Sequence, residues 1–156
     1  MLRGEVRPVA TFIAGTTIAC VALMSCGTVD PGPDVGPPAG CNAPPAFFVT
    51  DVWPKYFQQY QCGQSDCHDA ATGHGFFRLQ PVAGVTAPDP NAPVSTWPDA
   101  WQANFRAVQQ NLSCSSPGSS AVLAIPSGRG TPHPPGDVVT DKPGGDALFN
   151  MWLSGS

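Results

Sequence analysis

The sequence predicts a small, mainly α-helical domain with long Pro/Gly-rich loops. Three observations lead there. Apolar residues recur at helical spacing in three separate segments. Nineteen prolines and seventeen glycines in 156 residues are a heavy load for a regular core and break the rest of the chain into loops. Once an N-terminal leader is set aside, about 130 residues remain, enough for one small domain. No internal repeat of 20–50 residues is visible.

Residues 1–25 read as an export leader. Arg3 and Arg7 give a positive start, and Val9 to Leu23 is a mostly apolar run, shorter than the ~20 residues a membrane span needs. Leu23-Met24-Ser25-Cys26 resembles the bacterial lipobox, which implies that Cys26 is lipidated and becomes the mature N-terminus. A conventional leader cleaved elsewhere is the competing reading. The expected setting is a bacterial cell envelope, lipid-anchored and periplasm-facing, where disulfides persist. Gly27 stands where some bacteria carry the aspartate that retains lipoproteins at the inner membrane, which points to the outer membrane. Residues 26–45 then form a Pro/Gly-rich tether, able at ~3.1 Å per residue to hold a domain at most about 60 Å from its anchor. The folded domain is expected over 46–156.

The first helix is expected from about Thr50 to Gln61. Thr50 suits the N-cap, Asp51 favours the positive helix start, and Pro54 is tolerable near the first turn. Val52, Trp53, Tyr56, Phe57 and Tyr60 fall on one face. In the second helix Thr96 and Asp99 resemble a capping box, with Pro98 near the first turn. Trp97, Trp101, Phe105, Val108 and Leu112 follow at steps of four, four, three and four. The third helix, about Gly145 to Ser154, carries Ala147, Leu148, Met151 and Trp152, with Gly155 as its stop. Residues 76–94 and 113–142 read mainly as loop.

Between the first two helices lies Cys62-Gly63-Gln64-Ser65-Asp66-Cys67-His68. Two cysteines followed directly by a histidine are the pattern of covalent c-type haem attachment. Each thiol adds to a haem vinyl group, and the adjoining imidazole becomes the proximal iron ligand. The usual spacing is C-x-x-C-H; here it is C-x4-C-H, so the longer loop must bulge for both sulfurs to reach one ring.

Cysteine arithmetic admits three assignments. In the first, Cys20 leaves with the leader, Cys26 takes lipid, Cys62 and Cys67 take haem, and Cys41 pairs with Cys114. In the second, Cys62–Cys67 and Cys41–Cys114 are both disulfides and His68 is a bystander. In the third, Cys62, Cys67, His68 and His74 hold a metal such as zinc.

Composition excludes other classes. Removing Glu5 from eleven acids leaves ten, all aspartates; removing Arg3 and Arg7 from seven basic residues leaves five. That mildly acidic balance argues against nucleic acid or an anionic membrane as partner. There is no Gly-rich phosphate loop, no HExxH pair and no Gly-x-Ser-x-Gly elbow, and the mature chain has no glutamate for acid/base work. Independent catalysis is not expected.

The order of pieces resembles the small c-type cytochrome domains of predicted bacterial lipoproteins. An aromatic-rich helix (Val52, Trp53, Pro54, Phe57) runs into Cys62, Cys67 and His68. A Gly-rich turn and a "Gly-aromatic-x-Leu" segment follow, here Gly73-His74-Gly75-Phe76-Phe77-Arg78-Leu79. Ser120-Ala121-Val122-Leu123, the Gly128-to-Gly136 loop with His133, and Trp152-Leu153-Ser154-Gly155 look like the later pieces. The resemblance covers roughly residues 47–155. It implies a cytochrome c-like helical fold, covalent haem c, and single-electron transfer with an unidentified redox protein.

The sixth iron ligand is the open residue-level question. His133 is the first candidate, since the family's Gly/His-rich loop lies there; Met151 is the alternative, and an open or water-bound site the third. Trp53, Phe57, Phe76, Phe77, Trp97, Trp101 and Phe105 are candidates for a water-excluding wall, and Arg78 and Arg106 for pairing with haem propionates. The reading from a different class is a haem-free, disulfide-stapled surface lipoprotein with a binding or structural role.

Overall fold

The computed structural model describes residues 41–129, 131–134 and 136–155. The expected leader, the lipidation site Cys26 and all of the tether before Cys41 lie outside the described residues. The described part is helical, with no strand; its one β-type contact is an isolated parallel bridge between Asp69 and Leu79.

The first helix starts earlier than its pattern suggested. A short α turn, α1 (Pro45–Phe47), runs straight into π-helical Phe48–Gln58. Thr50 is therefore interior rather than an N-cap, and its hydroxyl donates back to the Ala46 carbonyl at 3.1 Å. Pro54 also lies inside the π segment. There it supplies no N–H and crowds the preceding turn, and the wider i→i+5 winding relieves that crowding. Of the expected face, Val52, Trp53, Tyr56 and Phe57 are buried and Tyr60 is half-buried.

α2 spans Asp99–Gln109. The capping box does not form, because Trp97 is extended and Pro98 takes the N-cap position without a side-chain cap. The Thr96 hydroxyl donates instead to the Pro93 carbonyl at 2.8 Å, closing a 3₁₀ turn over Val94–Thr96. Trp97, Trp101, Phe105, Val108 and Leu112 are nevertheless all buried, so the stripe is core. A second 3₁₀ turn, Pro117–Ser119, leads into α3 (Ala121–Ala124), a short helix within a stretch expected to be loop.

The last helix, α4 (Lys142–Ser154), begins three residues before the expected start at Gly145. Asp141 caps it by accepting from the Gly144 N–H at 2.9 Å. Gly155 ends it in the left-handed conformation, φ 70°, as its position suggested. Leu148 and Trp152 are buried, but Met151, expected on the same apolar stripe, is 47 % exposed.

Phe48, at the start of the π segment, joins the elements. Its ring lies 5.2 Å from Phe105 and 6.5 Å from Trp101 on α2, and 5.9 Å from Trp152 on α4. Two further ties bind the chain ends into this core. The Trp152 indole N–H donates to the Pro44 carbonyl at 3.0 Å. Cys41 is joined to Cys114, with Cα atoms 5.1 Å apart across 73 residues of sequence, the pairing common to the first two cysteine assignments. No helix among the described residues is long and apolar enough to cross a membrane.

Candidate functional site

The C-x4-C-H segment leaves the π helix through a sharp reversal. Gln61 takes a positive φ of 55°, and the Cys62 N–H donates to the Phe57 carbonyl at 3.0 Å. The four intervening residues fold back on themselves. The Cys67 N–H donates to Gln64 at 2.9 Å, and the His68 N–H reaches the Cys62 carbonyl at 3.0 Å. This is the bulge that the wide spacing demanded. It brings Cys62, Cys67 and His68 to the wall of one cleft. Both cysteines are free thiols, Cys62 buried and Cys67 half-buried. Burial pushes the Cys62 thiol up to about 12, with the neighbouring Cys67 adding to the shift.

The following turn locks the histidine. The Asp69 carboxylate accepts from the Ala71 and Thr72 N–H groups, each at 2.9 Å. The His74 N–H reaches back to the Cys67 carbonyl at 2.7 Å. Gly73 has no room for a side chain: a Cβ there would lie 2.5–2.7 Å from backbone atoms of Asp69 and Cys67. The Gly-aromatic-x-Leu segment then returns beside His68. Leu79 donates to the His68 carbonyl and accepts from the Ala70 N–H, and its side chain is wholly buried.

That return brings the Phe77 carbonyl 3.0 Å from His68 Nδ1, with the Phe77 ring edge against the imidazole. With Nδ1 donating to this carbonyl, Nε2 is left with its lone pair free, the arrangement in which histidine ligates metals. Desolvation lowers the His68 pKa, partly opposed by the Phe77 carbonyl, and so favours the neutral imidazole a metal requires.

His133 faces it. The two imidazole rings are 5.9 Å apart, centre to centre, at 38° to one another. His133 Nδ1 lies 3.0 Å from the Gly136 carbonyl, repeating the arrangement at His68.

The remaining wall is largely apolar. Phe57 and Phe77 come from the expected aromatic set, and Tyr60, Val122, Ile125, Pro126 and Val138 from segments not singled out as wall. The cavity volume is about 100 Å³, below the roughly 300–1,000 Å³ of preformed cofactor sites, so a ring of haem size would have to displace part of this wall. The Ser120-to-Leu123 motif was the available signal for Val122; Pro126 and Val138 carried none.

Other expected residues lie elsewhere. Met151 lines two different surface grooves, away from Cys62 and Cys67. Trp53 and Trp101 border a separate groove, Trp97 and Phe105 are interior core, and Phe76 is fully exposed at the tip of its turn. Arg78 Nη1 donates to the Asp69 carbonyl at 3.2 Å, and neither Arg78 nor Arg106 lines the cleft. His74 is an exposed turn residue. Among the described residues no three His, Cys, Asp or Glu side chains converge to hold a metal ion, so the four-ligand zinc arrangement is not formed.

No family model matches this chain, and neither a curated protein nor a solved structure matches it.

Proposed function

We propose that this chain is a lipid-anchored mono-haem c-type cytochrome that carries single electrons in the bacterial cell envelope. The observation that carries the reading is that two free thiols and two facing imidazoles line the wall of one apolar cleft. Two thiols and an adjoining imidazole are the donor set that haem c attachment uses. Cys62 and Cys67 would hold the ring through thioether bonds, His68 would be the proximal iron ligand and His133 the distal one. Bound haem supplies one-electron iron chemistry, at a potential that a second imidazole lowers relative to methionine.

The chain's own residues do the rest. Phe57, Phe77, Val122 and Val138 exclude water and keep the site at low dielectric. With Nδ1 of each imidazole donating to the Phe77 or Gly136 carbonyl, Nε2 would be the nitrogen left to meet iron. The unusual spacing is absorbed by the Cys62–His68 hydrogen-bonded bulge. In the same reading Cys26 bears the lipid, residues 26–40 act as spacer while residues 41–45, expected as tether, are bound into the core, and an unidentified redox protein meets the open mouth of the cleft.

The test is a reduced-minus-oxidised visible spectrum and a haem stain after denaturation, on protein exported together with a cytochrome c maturation system. A sharp reduced α band, staining that survives denaturation, and loss of both in Cys62→Ala/Cys67→Ala are expected. Colourless, correctly exported protein with Cys62 and Cys67 joined as a second disulfide would instead establish the haem-free, disulfide-stapled lipoprotein.

A further inference from the structure

His133 stands on a loop that contributes little to the core, so something must hold its ring in place opposite His68. The loop's far end is fixed by backbone: the Val138 and Val139 N–H groups both donate to the Pro126 carbonyl, at 2.9 and 3.1 Å, and Val139 is wholly buried. The near end is held differently. Arg129 makes a two-pronged ion pair with Asp146 on α4, Nη1 to Oδ1 at 2.6 Å and Nη2 to Oδ2 at 2.9 Å. Its guanidinium also donates to the Gly118 and Lys142 carbonyls, at 3.4 and 3.5 Å. A second pair, of opposite polarity, joins Asp137 on the loop to Lys142 on the helix at 3.3 Å. Lys142 and Asp146 are four apart, hence neighbours on one helix face. The Asp137 carboxylate also lies over Gly128, at φ 69°, where any Cβ would collide with it. The loop is thus pinned to the first turns of α4 from both sides of His133.

Resting on the haem reading above, we propose that the Arg129–Asp146 pair is a positioning device for the distal ligand: it holds the 129–138 loop closed on α4, so that His133 stays opposite His68. Loosening the pair lets the loop lift and exposes the sixth position to small exogenous ligands. Arg129 suits the role because a planar fork on a carboxylate fixes direction as well as distance, which a lysine does not. Both partners are about one-third exposed, at 33 % and 37 %, so the clamp is open to salt screening.

The experiment compares wild type, Arg129→Gln, Arg129→Lys, His133→Ala and the charge-exchanged Arg129→Asp/Asp146→Arg double variant. In haem-free protein, amide exchange of the loop is expected to accelerate in Arg129→Gln and to recover in the double variant. In haem-loaded protein, carbon monoxide association with the reduced form should speed up roughly fivefold in Arg129→Gln, the effect of losing one partly exposed ion pair. The potential should rise toward that of His133→Ala, with Arg129→Lys intermediate; added salt should move wild type the same way. Unchanged loop exchange and unchanged carbon monoxide binding in Arg129→Gln would overturn the proposal, as would a His133→Ala protein with the wild-type spectrum. Failure of the wild type to take up haem at all refutes the cytochrome reading itself, and the loop-exchange result still judges the clamp.

Discussion

Replacing Tyr56 with phenylalanine tests whether the cleft's back wall is held by one buried hydrogen bond. The Tyr56 side chain is 1 % exposed, and its hydroxyl donates to the Val122 carbonyl at 2.7 Å. That carbonyl needs an outside donor for a reason written in the sequence. The residue four positions on, which would supply the helical N–H, is Pro126. Around it the helical ladder continues: Ile125 donates to Ala121, and Ser127 to Leu123. Removing the hydroxyl therefore leaves a buried carbonyl without a partner, at a cost of about 1–3 kcal/mol. For a urea slope of ~2 kcal/mol per molar, the midpoint should fall by about 1 M with the slope unchanged. Pro126→Ala supplies the missing N–H and should remove most of that cost in the double variant, with a coupling of about 1 kcal/mol or more. A Tyr56→Phe midpoint within error of wild type, or a cost that Pro126→Ala does not reduce, would refute this account of the wall.

Four further outcomes are expected. Burial raises the Tyr56 phenol well above its ordinary value. The native state thus keeps a proton that the unfolded chain releases near pH 10, so this stability is complete below about pH 10 and lost above it. Alkaline denaturation profiles should accordingly fall less steeply in Tyr56→Phe than in wild type. Removing the Cys41–Cys114 bond by Cys41→Ser/Cys114→Ser frees a loop of 73 residues and should cost about 4 kcal/mol, read as the drop in unfolding free energy under non-reducing conditions. Gly73→Ala drives a Cβ into the backbone of Asp69 and Cys67 and should destabilise the domain by about 1–3 kcal/mol; a thermal midpoint equal to wild type would show that this turn can relax. Asn104, wholly buried on α2, accepts from the Gln80 N–H and donates to the Gln80 carbonyl, so Asn104→Asp keeps the acceptor but sets a carboxylate against a carbonyl. That variant should lose about 2 kcal/mol at neutral pH and recover part of it as acid protonates the new side chain.

What could be read from the sequence and what could not divide along a physical line. Periodicity is local, so the α2 stripe from Trp97 to Leu112, the buried face of the first helix and the Gly155 stop were all legible. Helix starts were not. Thr50 and Thr96 have good capping chemistry, but Pro45 begins the first helix earlier and Pro98 takes the second cap, because the packing of Phe48 and Trp97 sets where each chain enters the core. Phe48 itself, the hub of the aromatic cluster, fell outside the expected helix and so outside the expected core.

By itself the sequence determined the chemistry on offer: two thiols and an imidazole within seven residues, a further histidine in a proline-stiffened loop, and a Gly-aromatic-x-Leu segment. Which of these meet was decided by tertiary structure alone. His68 and His133 are 65 positions apart, and no local rule relates them. They face one another because the Leu79 return fixes the first ring and the α4 ion pairs hold the second loop. The same packing turned Met151 outward and left Phe76 in solvent, since a helix face or loop tip is assigned only when the elements that could cover it have chosen their places.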